Sequence, residues 1–205
     1  SPDHLIQHTI DLGLGKLSDT GALCVSTGKF TGRSPENKYF VKEEITATTI
    51  DWGGFNHPIE ESVFTSLREK IKNHLNQQKE IWIRDVFACA DPEYQISIRV
   101  YTELPWAALF VNNMFIGVPS NKLDTFKAEW TILHAPSFLA DPIIDKTNAS
   151  NFAIICFSKK EIIIGGSGYT GEIKKGVFSI LNYLLPHQRK VLSMHCSANL
   201  GETGD

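Results

Sequence analysis

Hydrophobic positions along the chain recur with two periods, and the switches between them outline a fold. Ile59, Val63, Leu67, Ile71 and Leu75 repeat every four residues, which predicts a helix with one apolar stripe. Its start is expected near Pro58, because proline suits a first helical turn. Glu60 and Glu61 suit the positive end of the helix, and Lys70 and Lys72 sit toward the negative end. Farther on the period changes to two. Ile96, Ile98 and Val100 alternate with Ser97, Arg99 and Tyr101, as a half-buried strand over residues 95–102 requires. Residues 81–88 read as its neighbour, with Asp91-Pro92 marking the turn. Residues 152–157 and 161–164 are dense in β-branched side chains and read as paired strands. Residues 105–115 and 171–185 fit helices, residues 21–26, 39–41 and 191–196 fit short strands, and residues 126–134 fit either period. Helices and strands interleave without a linker or repeat. The pattern predicts one α/β domain, a mixed β-sheet flanked by helices, with α+β as the alternative.

Composition narrows the function classes. Of 205 residues, 42% are hydrophobic, enough for a sizeable core and against disorder. Twenty Lys and Arg face 23 Asp and Glu, a net charge of −3, so no basic footprint for nucleic acid exists. No apolar run reaches the ~20 residues of a membrane-spanning helix. The chain opens without a secretory signal, so a cytoplasmic location is expected. The four cysteines form no CxxC pair and each lies among apolar residues, so reduced, mostly buried thiols are expected.

Three segments carry candidate chemistry. In Thr27-Gly28-Lys29-Phe30-Thr31-Gly32-Arg33-Ser34-Pro35, glycines permit close backbone approach to a ligand. Arg33 offers a planar fork that matches carboxylate or phosphate, and the bland alternative is a turn with a solvated arginine. The segment from Gly165 to Gly176 lies between a strand and a helix, where free N–H groups can meet an anion, but it lacks the GxxxxGK[ST] pattern. Ile173, Val177, Ile180, Leu181 and Leu184 define the expected buried stripe of this helix. Lys174 then falls inside the stripe and Lys175 off it. Both lie near the positive helix end, so each is expected to have a lowered pKa. Two solvated lysines on a frayed turn are the alternative. In the third segment, His195 ends an apolar stretch and could ligate a metal, exchange protons or sit satisfied in the core. A Cys196–His195 nucleophile pair is disfavoured, because strand neighbours point to opposite faces.

Taken together, TGKFTGRSPENKY, GYTGEIKKGVFSILNYLLP and SMHCSANLGETGD, with RVYTELPWAALFVNNMFI between them, resemble the ATP-dependent phosphoenolpyruvate carboxykinases in order and spacing. The resemblance covers nearly the whole chain. It implies conversion of oxaloacetate and ATP to phosphoenolpyruvate, CO2 and ADP, in gluconeogenesis, with Mg2+ on the nucleotide and Mn2+ at the active centre. It implies that Arg33 holds the substrate carboxylate and that Tyr169 lies against substrate or CO2. Lys174 and Lys175 would face substrate and the transferring phosphate. Lys175 and His195 would bind Mn2+ and lie near the ATP γ-phosphate. Gly168 and Thr170 depart from the family's usual residues and are expected to tune the loop around Tyr169. The resemblance also implies that the family's nucleotide-binding P-loop and acidic metal ligands follow the last residues here. The chain is therefore expected to be the N-terminal, substrate-binding part of a longer enzyme, with a shortened start and no activity alone. A stand-alone module for dicarboxylates or phosphates is the competing expectation, and a different enzyme using Cys196 and His195 is a third.

Overall fold

The computed structural model describes residues 1–204. An eight-stranded mixed sheet forms its centre, in the order β4-β3-β9-β10-β8-β6-β5-β7. Its strands are β3 (Lys38–Val41), β4 (His57–Ile59), β5 (Trp82–Ala88), β6 (Ile96–Thr102), β7 (Ile116–Gly117), β8 (Trp130–Ala135), β9 (Phe152–Cys156) and β10 (Glu161–Gly165). A separate antiparallel ribbon pairs β1 (Gly15–Leu17) with β2 (Leu23–Val25). The helices are α1 (Pro2–Asp11), α2 (Glu61–Asn76), α3 (Pro105–Met114) and α4 (Gly171–Leu184). This is the α/β architecture that the interleaved periods predict.

β9 and β10 pair, as expected, and their pairing is antiparallel; every residue of both is buried. Strands covered on both faces need apolar residues at every position, and Ile154-Ile155 and Ile162-Ile163-Ile164 supply them. Alternation then divides the core. Ile162 and Ile164 join Ile173, Val177 and Ile180 of α4 on one face. Ile163 and Ile154 join Phe64, Leu67, Ile71 and Leu75 of α2 on the other. On the α2 face a buried carboxylate is paired: Glu161 takes a two-pronged grip from Arg68 of α2, through Arg68 Nε and through Nη2 at 3.0 Å. The ambiguous stretch becomes β8, which runs parallel to both β6 and β10.

Three expectations need correction. Pro58 lies in strand β4, at the sheet edge where a missing N–H costs least, and α2 starts at Glu61. Residues 191–196 form no strand. Leu192 and Met194 stay 78% and 67% exposed, because no sheet edge receives them. The segment instead turns back along α4, with Val191 N–H donating to Leu185 O at 3.0 Å and Ser193 Oγ to Asn182 Oδ1 at 2.5 Å. The cysteines are all free, but only Cys156 is buried. Cys24 lies exposed on the ribbon and Cys196 on the returning segment, where nothing covers them. Among the described residues no helix is long and apolar enough to cross a membrane.

His134, on β8, is fully buried. Its Nδ1 accepts from Thr102 Oγ1 at 2.8 Å and its Nε2 donates to Ser167 O at 3.2 Å, an assignment that suits the neutral ring. Burial pushes its pKa down from 6.5 to about 4, against the opposing pull of Ser167 O and Glu103. Unfolding returns the ring to water, so below pH 6.5 the unfolded chain binds a proton that the folded chain refuses. The contribution is complete above pH 6.5 and drains away as pH falls toward 4, by about 3 kcal/mol at most. Denaturant titrations at pH 7 and pH 4.5 should show a steeper loss for the wild type than for His134→Gln. Equal losses would refute this account.

Candidate functional site

The site lies where β10 runs into α4. Gly166 has φ +71, and a Cβ there would stand 2.7 Å from Ser150 O, so only glycine fits the turn. Gly168 approaches the backbone of the Thr27 loop, where an added Cβ would meet Thr27 O at 2.9 Å. A bulkier residue at this position has no room here, because the two loops touch through their main chains. Ser167 Oγ accepts from Tyr169 N–H at 3.2 Å. The half-buried Tyr169 ring folds over Gly171, and a Cβ on Gly171 would lie 2.3 Å from it.

The first turns of α4 carry Glu172, Lys174 and Lys175. Lys174 is exposed and Lys175 half-buried, the reverse of the expected stripe. Glu172 and Gly176 are buried beside Ile173, Val177 and Ile180, which shifts the buried face away from Lys174. Counting apolar side chains alone missed this, because a glycine and a glutamate occupy core positions. Lys175 and His195 meet across the returning segment: Lys175 Nζ donates to His195 Nε2 at 2.9 Å. Phe178 lies under both, 4.5 Å from Lys175 Nζ and 5.1 Å from the His195 ring. A cleft of ≈ 250 Å³ opens beside them, lined by Phe87, Phe115, Phe178, Lys174, Lys175 and His195. Arg33 and Tyr169 do not line it. His195 Nε2 is engaged with Lys175, so the geometry gives a Cys196–His195 pair no support.

Arg33 is exposed, but its loop is held. Ser34 N–H donates to Glu172 Oε1 at 2.7 Å, and Asn151 Nδ2 donates to Ser34 Oγ at 2.9 Å. Electrostatics join the pieces. Desolvation, Arg33 and Lys174 together lower the pKa of Lys175, as the sequence suggests for a crowded helix start. Lys38, half-buried at the start of β3, is also lowered, by desolvation and by Arg33 and Lys175, although Glu172 pulls it upward. Desolvation raises Glu172 despite its bond to Ser34 and the nearness of Arg33 and Lys38. Arg33 and Lys38 thus flank the Glu172 carboxylate, and Lys175 feels both Arg33 and Lys174, a surplus of positive charge suited to an anion. Lys38 and Glu172 lie in the quoted segments and Asn151 outside them, but no sequence pattern pairs Glu172 or Asn151 with the Arg33 loop or Lys38 with Lys175.

Two nitrogens bound at right angles to one ion, each about 2.1 Å away, would stand about 3 Å apart. The Lys175–His195 spacing of 2.9 Å fits two such positions. Among the described residues no group of three or more His, Cys, Asp or Glu is placed to hold a metal. The pair can therefore be part of a coordination sphere, and hard cations would still need oxygen donors.

The glycines separate packing from orientation. Gly168→Ala would press on backbone, which cannot swing aside, and should destabilise by about 1–3 kcal/mol. Gly171→Ala would press on the Tyr169 ring, which can rotate away, and should change stability by no more than about 1 kcal/mol. Thermal melts check the first part, and a crystal structure of Gly171→Ala checks the displaced ring. A Gly168→Ala melt equal to wild type would refute the loop contact.

The family model described as "Phosphoenolpyruvate carboxykinase", of the ATP type, matches residues 1–205. Curated relatives named "Phosphoenolpyruvate carboxykinase (ATP)" are 50% identical in Christiangramia forsetii and 48% in Flavobacterium johnsoniae, each over 205 residues and all of this chain. One from Bacillus cereus strain AH187 is 45% identical over the same length. The chain spans only 38–39% of the length of these relatives. A family match across the full sequence, on a fold that gathers the quoted lysine and histidine at one point, shows that the chain belongs to the ATP-type phosphoenolpyruvate carboxykinases.

Proposed function

We propose that this chain is the substrate-holding part of an enzyme that converts oxaloacetate and ATP to phosphoenolpyruvate, CO2 and ADP. The observation that carries the reading is the meeting of Lys175 and His195 inside a cationic cluster, in a chain of this family. In the first step the C–C bond to the departing carboxylate breaks, CO2 leaves, and the electron pair moves into the enolate of pyruvate. The enolate oxygen then takes the γ-phosphoryl group of ATP, and ADP leaves. Negative charge is present throughout, so prearranged cations are the catalytic resource.

Each role is the one that the family resemblance implies, and the chemistry of the residue agrees with it. Arg33 receives the oxaloacetate or phosphoenolpyruvate carboxylate through two parallel N–H donors. Tyr169 lies against substrate or released CO2, with its ring placed by Gly171. Lys174 and Lys175 face the substrate and the transferring phosphate. Lys175 and His195 would hold Mn2+ near the γ-phosphate, and Mg2+ would accompany the nucleotide. A bound divalent ion supplies Lewis-acid polarisation and charge stabilisation. The nucleotide cradle and the oxygen ligands would come from a part of the enzyme other than residues 1–205, so the isolated chain should turn over no oxaloacetate. We propose a gluconeogenic role and a cytoplasmic location for this enzyme.

Two measurements test the reading. In the complete enzyme Arg33→Lys keeps the charge but loses the fork, and kcat/KM for oxaloacetate should fall by the equivalent of about 1–3 kcal/mol. Unchanged kinetics would return Arg33 to a solvated turn. Titration with Mn2+ should show weaker binding for both Lys175→Ala and His195→Ala. A lysine binds a cation only after losing its proton, so wild-type affinity should climb with pH and each ion bound should release a proton. Wild-type affinity in both variants, or affinity indifferent to pH, would refute a shared metal site.

A further inference from the structure

Glu172 is a charged side chain where a helix would ordinarily bury an apolar one. It is 7% exposed, on the core-facing side of α4. Burying a carboxylate is costly unless specific partners compensate. Its hydrogen-bond partner is the N–H of Ser34, at 2.7 Å, across 138 positions of sequence. Ser34 adjoins Arg33. Glu172 stands three residues, under one helical turn, before Lys175 and moves rigidly with it. This bond therefore joins the residue next to the guanidinium to the helix that carries the lysine. The far side of Ser34 is held as well: Asn151 Nδ2 donates to Ser34 Oγ at 2.9 Å, and Asn151 Oδ1 accepts from Asn37 Nδ2 at 2.9 Å. Thr27 and Gly168 touch where the same two loops meet again.

We infer that Glu172 is a positioning residue that latches the Arg33 loop to α4 and so sets the spacing between Arg33 and Lys175. The inference rests on the proposed reading of Arg33 as the substrate carboxylate's partner. Glu172 itself is buried and does not line the cleft beside Lys175 and His195. The latch works through the reach of its carboxyl oxygen and not chiefly through its charge. A hydrogen bond tolerates little change in length, whereas the field of one charge near Arg33 and Lys38 changes slowly with distance.

Reach and charge separate in two conservative variants of the complete enzyme. Glu172→Gln keeps the reach and an acceptor oxygen but loses the charge. Glu172→Asp keeps the charge and withdraws it from Ser34 by one methylene. We expect Glu172→Asp to lower kcat/KM for oxaloacetate by about tenfold through misplacement, with KM for ATP unchanged. Glu172→Gln should stay within about threefold of wild type, on the same misplacement argument. Ser34 amide exchange should quicken in Glu172→Asp and stay slow in Glu172→Gln. Arg33→Lys with Glu172→Asp should cost no more than Arg33→Lys alone, because both act on one contact. Simple multiplication of the two losses would overturn the latch while leaving the reading of Arg33 intact. So would the reverse ranking of the Gln and Asp variants, which would make Glu172 a counter-ion. If Arg33→Lys alone has no effect, the reading of Arg33 fails and the latch fails with it.

Discussion

Strand β10 is buried on both faces, and that constraint sets the position of everything around it. Its isoleucines point alternately to α4 and α2, so both helices must pack where they do. Its parallel partner β8 carries His134, and its antiparallel partner β9 is preceded by Asn151. When β10 ends at Gly165 the chain has to turn sharply into α4 with little free space. Gly166, Gly168 and Gly171 each remove a Cβ that would collide. The candidate site is thus built at the exit of the most tightly packed strand, where the backbone is fixed from three sides.

That rigidity makes the crowding of charge tolerable. Arg33, Lys38, Lys174 and Lys175 would repel one another apart if they stood on loose loops. Here the Arg33 loop is bonded to Glu172 and Asn151, and Lys175 is bonded to His195 and lies over Phe178. The helix start adds its own positive field to the same place. A protein accepts such local conflicts where an anion is to be bound, and the rest of the fold supplies the stability that offsets them.

His134 ties the sheet to the same loop from below, through Thr102 on one ring nitrogen and Ser167 O on the other. The ring must stay neutral to accept from one and donate to the other, and burial keeps it so. The loop that carries Tyr169 is therefore held by hydrogen bonds at Ser167 and by steric fit at Gly166, Gly168 and Gly171. Both kinds of restraint originate in core packing.

The sequence by itself determined the elements whose burial is one-sided or complete. The alternation in β6, the apolar runs of β9 and β10 and the four-residue repeat of α2 are local patterns, and each appears where its period places it, except that Ile59 falls in β4 and Phe64, beside a half-buried Val63, opens the buried stripe of α2. The motif segments that carry the family likeness were legible too, and they contain Arg33, Lys175 and His195. Tertiary structure decided what depends on partners far along the chain. Whether residues 191–196 become a strand depends on a free sheet edge, and none receives them, so they fold back along α4 and carry His195 to Lys175 without one. Which lysine of α4 is the more buried depended on Glu172 and Gly176 entering the core, which no apolar count foresees. The Ser34–Glu172 bond crosses 138 positions. Such contacts exist only after the sheet has brought distant segments together, because a hydrogen bond needs its two atoms within about 3 Å and periodicity carries no information about that distance.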